Sequence, residues 1–341
     1  VGSLAAAVAA LALGRNLSAA DRPPVDADVD RAVTAGLNFL ARQQGSDGAF
    51  DVDSPGSIGT TSRALLAFLA AGNAPDTGRY GLPVRRAVDW LVAQQSSQGA
   101  YGSLERGIRP HLGTTTALAE AYGVETTPDR RVTLSGSLSK AVNVIVSRQV
   151  AEKLPGQPGG GWEGSDAGPK GGALPPTALS LLALRGCADI GLAVPQAVTS
   201  RAAAFTLKCS DPAGGFGPAP GQRADLRSTC AGVVALHACN ASGQNPDKLN
   251  SAAKFVVAHV PAAGSEFTGG IVPLGALVLG PEVWTPVGKP LLSRLAKSQD
   301  KDGGWPAAAP AGRPPVSRTA ATASALAVLT MSYPLLPIYQ R

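Results

Sequence analysis

Asp51 and Asp53 are two carboxylates spaced two apart, close enough to act on each other. Two acids that close resist double ionisation, so one keeps a proton at a pH where a lone carboxyl has lost it, which is what a general acid requires. The pair sits in DVDSPGS, directly after Phe50, a composition that also suits a solvated loop braced by Asx turns. Asp51 and Asp53 therefore stand as catalytic candidates, not as an assigned pair. Glu105, Glu163 and Asp166 occupy comparable Gly-rich stretches. Paired carboxylates on loops at a cavity mouth can cleave glycosidic bonds. Sugar sites add exposed aromatic platforms, and only Tyr101 and Trp162 lie near these acids.

Metal chemistry has less to work with. His237 and Cys239 are close in sequence, but no CxxC pair or ordered ligand spacing accompanies them, so no metal and no cofactor is assigned. Cys187, Cys209, Cys230 and Cys239 can be read as disulfide partners in an exported chain or as buried thiols at Ala-like positions. Four basic residues form the positive alternative. Arg63, His111, Arg227 and Arg318 fall near the starts of apolar helical runs, where helix dipoles add partial positive charge. Together they would make a shallow rim site for a diphosphate, a carboxylate or an acidic peptide. The competing reading makes them caps and solvated rim charges.

The elements that would position these groups repeat along the chain. Gln44, Gly48 and Phe50 recur as Gln95, Gly99 and Tyr101, and again as Gln299, Gly303 and Trp305. Looser copies end at Trp162 and Phe216. Each copy lies between two runs with apolar residues at helical spacing. The pairs are Asp30–Gln44 with Thr60–Gly72, Pro83–Gln95 with Thr114–Gly123, and Ser137–Val150 with Pro176–Gly186. Pro195–Cys209 with Ser228–Asn240 and Asp247–Val260 with Ile271–Gly280 follow. The sixth pairs PVGKPLLSRLAK with TAATASALAVLTM. The fifth pair has lost a clear motif, and Phe267 is its nearest aromatic. Glycine in the turn permits the left-handed backbone that stops the first helix, the aromatic covers its end, and the Gln reaches orphan carbonyls. Thr61, Thr114, Thr177, Thr229 and Thr322 are placed to N-cap the second helices. The fold class is all-α.

The Gln-xxx-Gly-x-aromatic turn followed by a Thr-Ala-x-x-Leu-Leu helix, as in Thr177 to Leu182, resembles the repeat of terpenoid cyclases and protein prenyltransferases. The resemblance spans about Asp30 to Met331. It implies an α/α toroid with six outer and six inner helices around an apolar cavity. It also implies where chemistry would sit, namely at the inner-helix starts. The cyclases' DxDD acid has no counterpart in the segments ending at Thr61, Thr115, Thr177, Thr229 and Thr322. Asp225 to Cys230 is similar to the zinc-binding start of prenyltransferases, but Ser228 stands where their His would be. The resemblance thus predicts the scaffold with an apolar ligand, isoprenoid or lipid-like, or a peptide, and without the family's known catalysis. An isoprenoid-converting enzyme with a non-standard site and a carbohydrate-active barrel are the alternatives.

Composition narrows the partners. Hydrophobic residues make up 44% and aromatic residues 5%, too few aromatics to build a cavity that stabilises carbocations. The net charge of +6 is scattered singly, without a basic stripe, so nucleic acid is not expected as a partner. LAAAVAALALG near the N-terminus reads as the apolar part of a secretory signal within residues 1–20, followed by a linker over 21–29, the toroid over 30–331 and a tail over 332–341. No stable membrane span is expected in the mature chain.

Overall fold

The computed structural model describes residues 26–51, 54, 56–151, 159–164, 171–260, 270–307 and 316–333. Among them are twelve α-helices and no named strand. They alternate as first and second members of six pairs: α1 (Ala27–Gln43) with α2 (Ser57–Ala70), α3 (Gly81–Ala93) with α4 (Arg109–Val124), and α5 (Pro128–Ser147) with α6 (Leu174–Asp189). The remaining pairs are α7 (Gln196–Lys208) with α8 (Leu226–Ala238), α9 (Pro246–His259) with α10 (Ile271–Val278), and α11 (Pro281–Lys297) with α12 (Arg318–Leu329). The expected boundaries agree to a few residues except at α5, which starts at Pro128 instead of Ser137. Proline suits a first helical position because its φ is already set. Glu125 Oε1 accepts the Thr127 N–H at 2.8 Å, and Arg131 donates to the carbonyls of Tyr122 and Glu125, so the turn runs straight into the helix. The signal-like stretch, Asp53, Asp166 and Phe267 lie outside the described residues.

First and second helices differ in burial. In α8 eleven of thirteen residues are buried, whereas α9 buries only Ala252 and Val256. Burial on nearly all faces, with Ala and Gly keeping the helix thin, is the pattern of an inner helix; burial on one stripe is that of an outer one.

The chain divides into two compact units, each assembled from distant segments. One holds residues up to Ser96, the stretch Ala117–Leu138 and the chain from Leu291 on. There α2 packs on α12 and α3, and α12 packs on α1. The other unit holds Ser97–Thr116 and Ser139–Pro290, and α8 is its centre, packed on α6, α7, α9 and α10.

The repeat turn links helices by a rule that the sequence showed only in part. Gln44 Nε2 donates to Gly48 O at 3.0 Å within its own turn and to Pro83 O, on the next first helix, at 2.9 Å. Gln95 reaches Ser137 O at 2.8 Å. Gln299 bonds Gly303 O at 2.9 Å and Ala32 O at 2.8 Å, so the last turn takes the first helix as its next one. Gln149 does the same with Gly160 O and Val198 O, a repeat glutamine hidden in the sequence by a long Gly/Pro insertion. The glycines sit past the helix ends, not at them. Gly48 has φ 100°, and a β-carbon there would come within 2.3 Å of Arg86 O; at Gly303, with φ 91°, it would come within 2.4 Å of Ala35 O. Both backbone conformation and close approach to the neighbouring helix therefore demand glycine.

The recurring threonines are not caps. Thr61, Thr177, Thr229 and Thr322 lie inside their helices, and each hydroxyl oxygen accepts the backbone N–H of the turn aromatic, from Phe50, Trp162, Phe216 and Trp305, at 2.9 to 3.1 Å. A buried N–H without an acceptor costs about 1–3 kcal/mol, which explains the residue type. In the second repeat the acceptor is not Thr114 but His111, whose Nδ1 lies 3.1 Å from Tyr101 N.

Candidate functional site

The starts of the second helices are where the sequence places any chemistry, and the four basic candidates prove to have different environments there. His111 is fully buried, not on a rim. Its Nδ1 accepts from Tyr101 N, so the ring proton sits on Nε2, which donates to Ala141 O at 3.2 Å. Burial pushes its pKa down to about 4, against a smaller upward pull from that bond to Ala141. His111 is a neutral structural acceptor, and its expected part in an anion site is corrected accordingly.

Arg318 is engaged differently. Its guanidinium holds Asp302 through both Nη1 and Nη2, at 2.7 and 2.6 Å, and Asp300 at 2.7 Å, over the ring of Phe39. The hydrogen bond to Asp302 raises the pKa of Arg318 and lowers that of Asp302. The helix start beside it is satisfied too: Ser317 Oγ accepts Ala320 N at 3.0 Å and donates to Asp51 Oδ2 at 2.7 Å. Arg227, half-buried, follows a capped start as well. Asp225 accepts both the N–H and the hydroxyl of Ser228, at 2.8 and 2.7 Å, so the segment similar to a prenyltransferase zinc site is a helix cap.

Arg63 is the exception. Its Nε is sealed from solvent with no hydrogen-bond partner among the described residues. Burial lowers its pKa, opposed in part by the charge of Asp51. The head lies back over Gly59: a β-carbon on that glycine would be 3.6 Å from Nη1 and 3.8 Å from Nη2. The start of α2 has Gly56 as its cap residue and no side-chain cap. Ser57 N donates to Ser54 O and Thr60 N to Gly56 O, leaving the N–H groups of Ile58 and Gly59 without an acceptor among the described residues.

The acidic candidates do not assemble into a described pair. Asp51 has a left-handed backbone (φ 63°) and uses its carboxylate on Ser317. Glu105 is exposed, and Glu163 accepts Gly171 N at 3.3 Å. Sequence reasoning passed over Glu120, which is buried on α4, because a single Glu in an Ala-rich run carries no motif. Among the described residues no three His, Cys, Asp or Glu side chains are grouped to hold a metal ion. The four cysteines are free, and burial pushes each thiol up to about 12.

The family model described as the prenyltransferase alpha-alpha toroid domain matches residues 2–167 and 177–261. The chain belongs to this family. Its fold is accordingly an α/α toroid, and the hydrogen bond from Gln299 to α1 is the kind of link that joins the last repeat to the first. A sequence search among curated proteins finds no match. Among solved structures the chain is similar to a substrate complex of a variant of the type II terpene cyclase MstE from Scytonema, with geranylgeranyl dihydroxybenzoate bound. There the TM-score is 0.59 at 13% identity, covering 91% of this chain and 98% of that one. A protein from Actinoplanes matches with TM-score 0.53 at 17% identity over 89% and 99%. The unsaturated glucuronyl hydrolase of Bacillus sp. GL1 matches with TM-score 0.57 at 14% identity over 89% and 95%. At these identities the likeness is one of fold.

Proposed function

We propose that this toroid is exported and binds an apolar ligand, isoprenoid or lipid-like, or an apolar peptide, without the catalysis of the terpene cyclases and prenyltransferases. One observation carries the reading. At the second-helix starts, where an acid or a zinc ligand would be needed, the side chains are committed to holding backbone. Thr61, Thr177, Thr229, Thr322 and His111 accept the turn N–H groups, and Asp225 caps α8. A group fixed by a buried hydrogen bond is a poor proton donor to a substrate. The apolar second helices supply what a greasy ligand needs, and the cyclase neighbour's bound prenylated substrate is in keeping with that class of ligand.

The test is to incubate the full chain with C15 and C20 isoprenoids and with long-chain lipids, then follow binding by native mass spectrometry and analyse the extracted ligand. The reading expects a one-to-one complex with ligand recovered unchanged. A converted product makes the protein an enzyme, and no complex with any of these ligands ends the proposal. Export is checked by fractionating cells that express the chain with its own N-terminal residues; retention in the cytosol contradicts it. If conversion is seen, Glu120→Gln is the first variant that should abolish it.

A further inference from the structure

We propose that the start of α2 is an anion site for the carboxylate of an apolar acid, with the Arg63 guanidinium and the N–H groups of Ile58 and Gly59 as its donors. This rests on the apolar-ligand reading and names the chemical class of the ligand. Three independent features meet in one place. Arg63 is a charged side chain whose solvent-sealed Nε has no hydrogen-bond partner among the described residues, a costly arrangement that the charge of Asp51 offsets only in part. The head lies over Gly59, on a helix start with no side-chain cap and two N–H groups that find no acceptor among the described residues. A negative group there would satisfy the guanidinium, the orphan donors and the dipole of a fourteen-residue helix at once.

The surroundings say which anion. On α2 the half-buried residues Gly59, Arg63 and Leu66 are spaced at i, i+4 and i+7, so the stripe that carries the donor continues into an apolar side chain. The flanking residues Thr60, Thr61, Ser62, Ala64 and Leu65 are buried. A ligand on this stripe meets a cation first and then hydrocarbon, which is the polarity of an acid with an apolar tail. Asp51 limits the charge. Its carboxylate interacts with Arg63 electrostatically and is held by Ser317, so a multiply charged diphosphate would sit against it. A monoanion leaves the site close to neutral. Arg318 cannot serve instead, because Asp300 and Asp302 already occupy it.

The test compares an isoprenoid acid with its matched alcohol by calorimetry on the full chain, in the wild type, Arg63→Met and Arg318→Met. The wild type should bind the acid about tenfold or more tightly than the alcohol, since a charge-assisted contact is the difference between them. Arg63→Met should lose that preference and keep the alcohol's affinity, while Arg318→Met keeps the preference. Equal affinities in the wild type, or a preference that survives Arg63→Met, overturns the proposal. Acetate supplies the second arm. It should raise the melting temperature of the wild type and not of Arg63→Met, and an equal rise in both, or none in the wild type, also overturns the site. If acetate acts through Arg63 but neither long-chain ligand binds, the apolar-ligand reading falls and the anion site stands.

Discussion

The starts of α2 and α12 are built from the same kinds of residue and end in opposite conditions. Both lie in one compact unit, both follow a Gln-Gly-aromatic turn, and both bring an arginine head to a helix start, Arg318 from the first residue and Arg63 by reaching back from mid-helix over Gly59. At α12, Ser317 caps the helix and two aspartates of the turn close on Arg318. At α2 the cap residue is glycine, and among the described residues Asp51 reaches Arg63 only through its charge while the Arg63 Nε has no hydrogen-bond partner. An arginine at a helix start is therefore not a binding residue by type. What separates the two is how far the described residues of the preceding turn satisfy it: fully for Arg318, and only through the charge of Asp51 for Arg63.

The sharpest way to break this comparison is to insert one methyl group at each end. Gly303→Ala forces a β-carbon to within 2.4 Å of Ala35 O on a residue with φ 91°, and should lower stability by about 3 kcal/mol or more, read by denaturant unfolding. Gly59→Ala has room, its β-carbon meeting nothing closer than the Arg63 head at 3.6 Å. It should leave stability within about 0.5 kcal/mol of wild type and the Arg63 head in place.

The exchange of Thr for His in the second turn gives a contrast nearly as large. His111 is neutral when folded, with its pKa depressed from 6.5 to about 4. Below about pH 6.5 the unfolded chain takes up a proton that the folded chain refuses. The stability this histidine contributes is complete above that pH and is lost progressively as pH falls toward 4. The loss amounts to roughly 3 kcal/mol, and His111→Thr, which restores the hydroxyl acceptor of the other turns, should remove this slope from unfolding curves taken between pH 7 and 4. A slope unchanged in the variant would assign it to other groups.

Smaller effects separate the two arginines directly. Arg318→Ala should lower the melting temperature by freeing Asp300 and Asp302, and the lowering should shrink in high salt. Arg63→Met should be neutral or stabilising by about 1 kcal/mol, because it removes a largely desolvated charge that the distant Asp51 offsets only in part. The smallest effect is expected at the cysteines. With thiols pushed up to about 12 by burial, a disulfide-exchange reagent at pH 8 should label none of them until the protein unfolds.

Much of the fold was legible because its signals are local. Glycine with positive φ, the turn aromatic and the apolar period of the helices leave marks within a few residues, and these located the pairs. Gln149 escaped because eleven residues separate it from the Gly160 it bonds. His111 was read as a rim cation because the rule it obeys, acceptance of the turn N–H by the second helix, shows in sequence only when the acceptor is threonine. The candidate site was legible as a set of basic residues and not as a site. Arg63 and Arg318 both read in sequence as basic residues close to a second-helix start, and what distinguishes them is three-dimensional: the aspartates that fold back on one, and the helix start without a side-chain cap under the other.

The most direct test is a crystal structure of the chain with an isoprenoid acid bound. The account predicts the carboxylate within about 3 Å of the Arg63 guanidinium and the Gly59 N–H, with its tail along Leu66. A carboxylate bound elsewhere, or an occupied toroid with the start of α2 untouched, would contradict it.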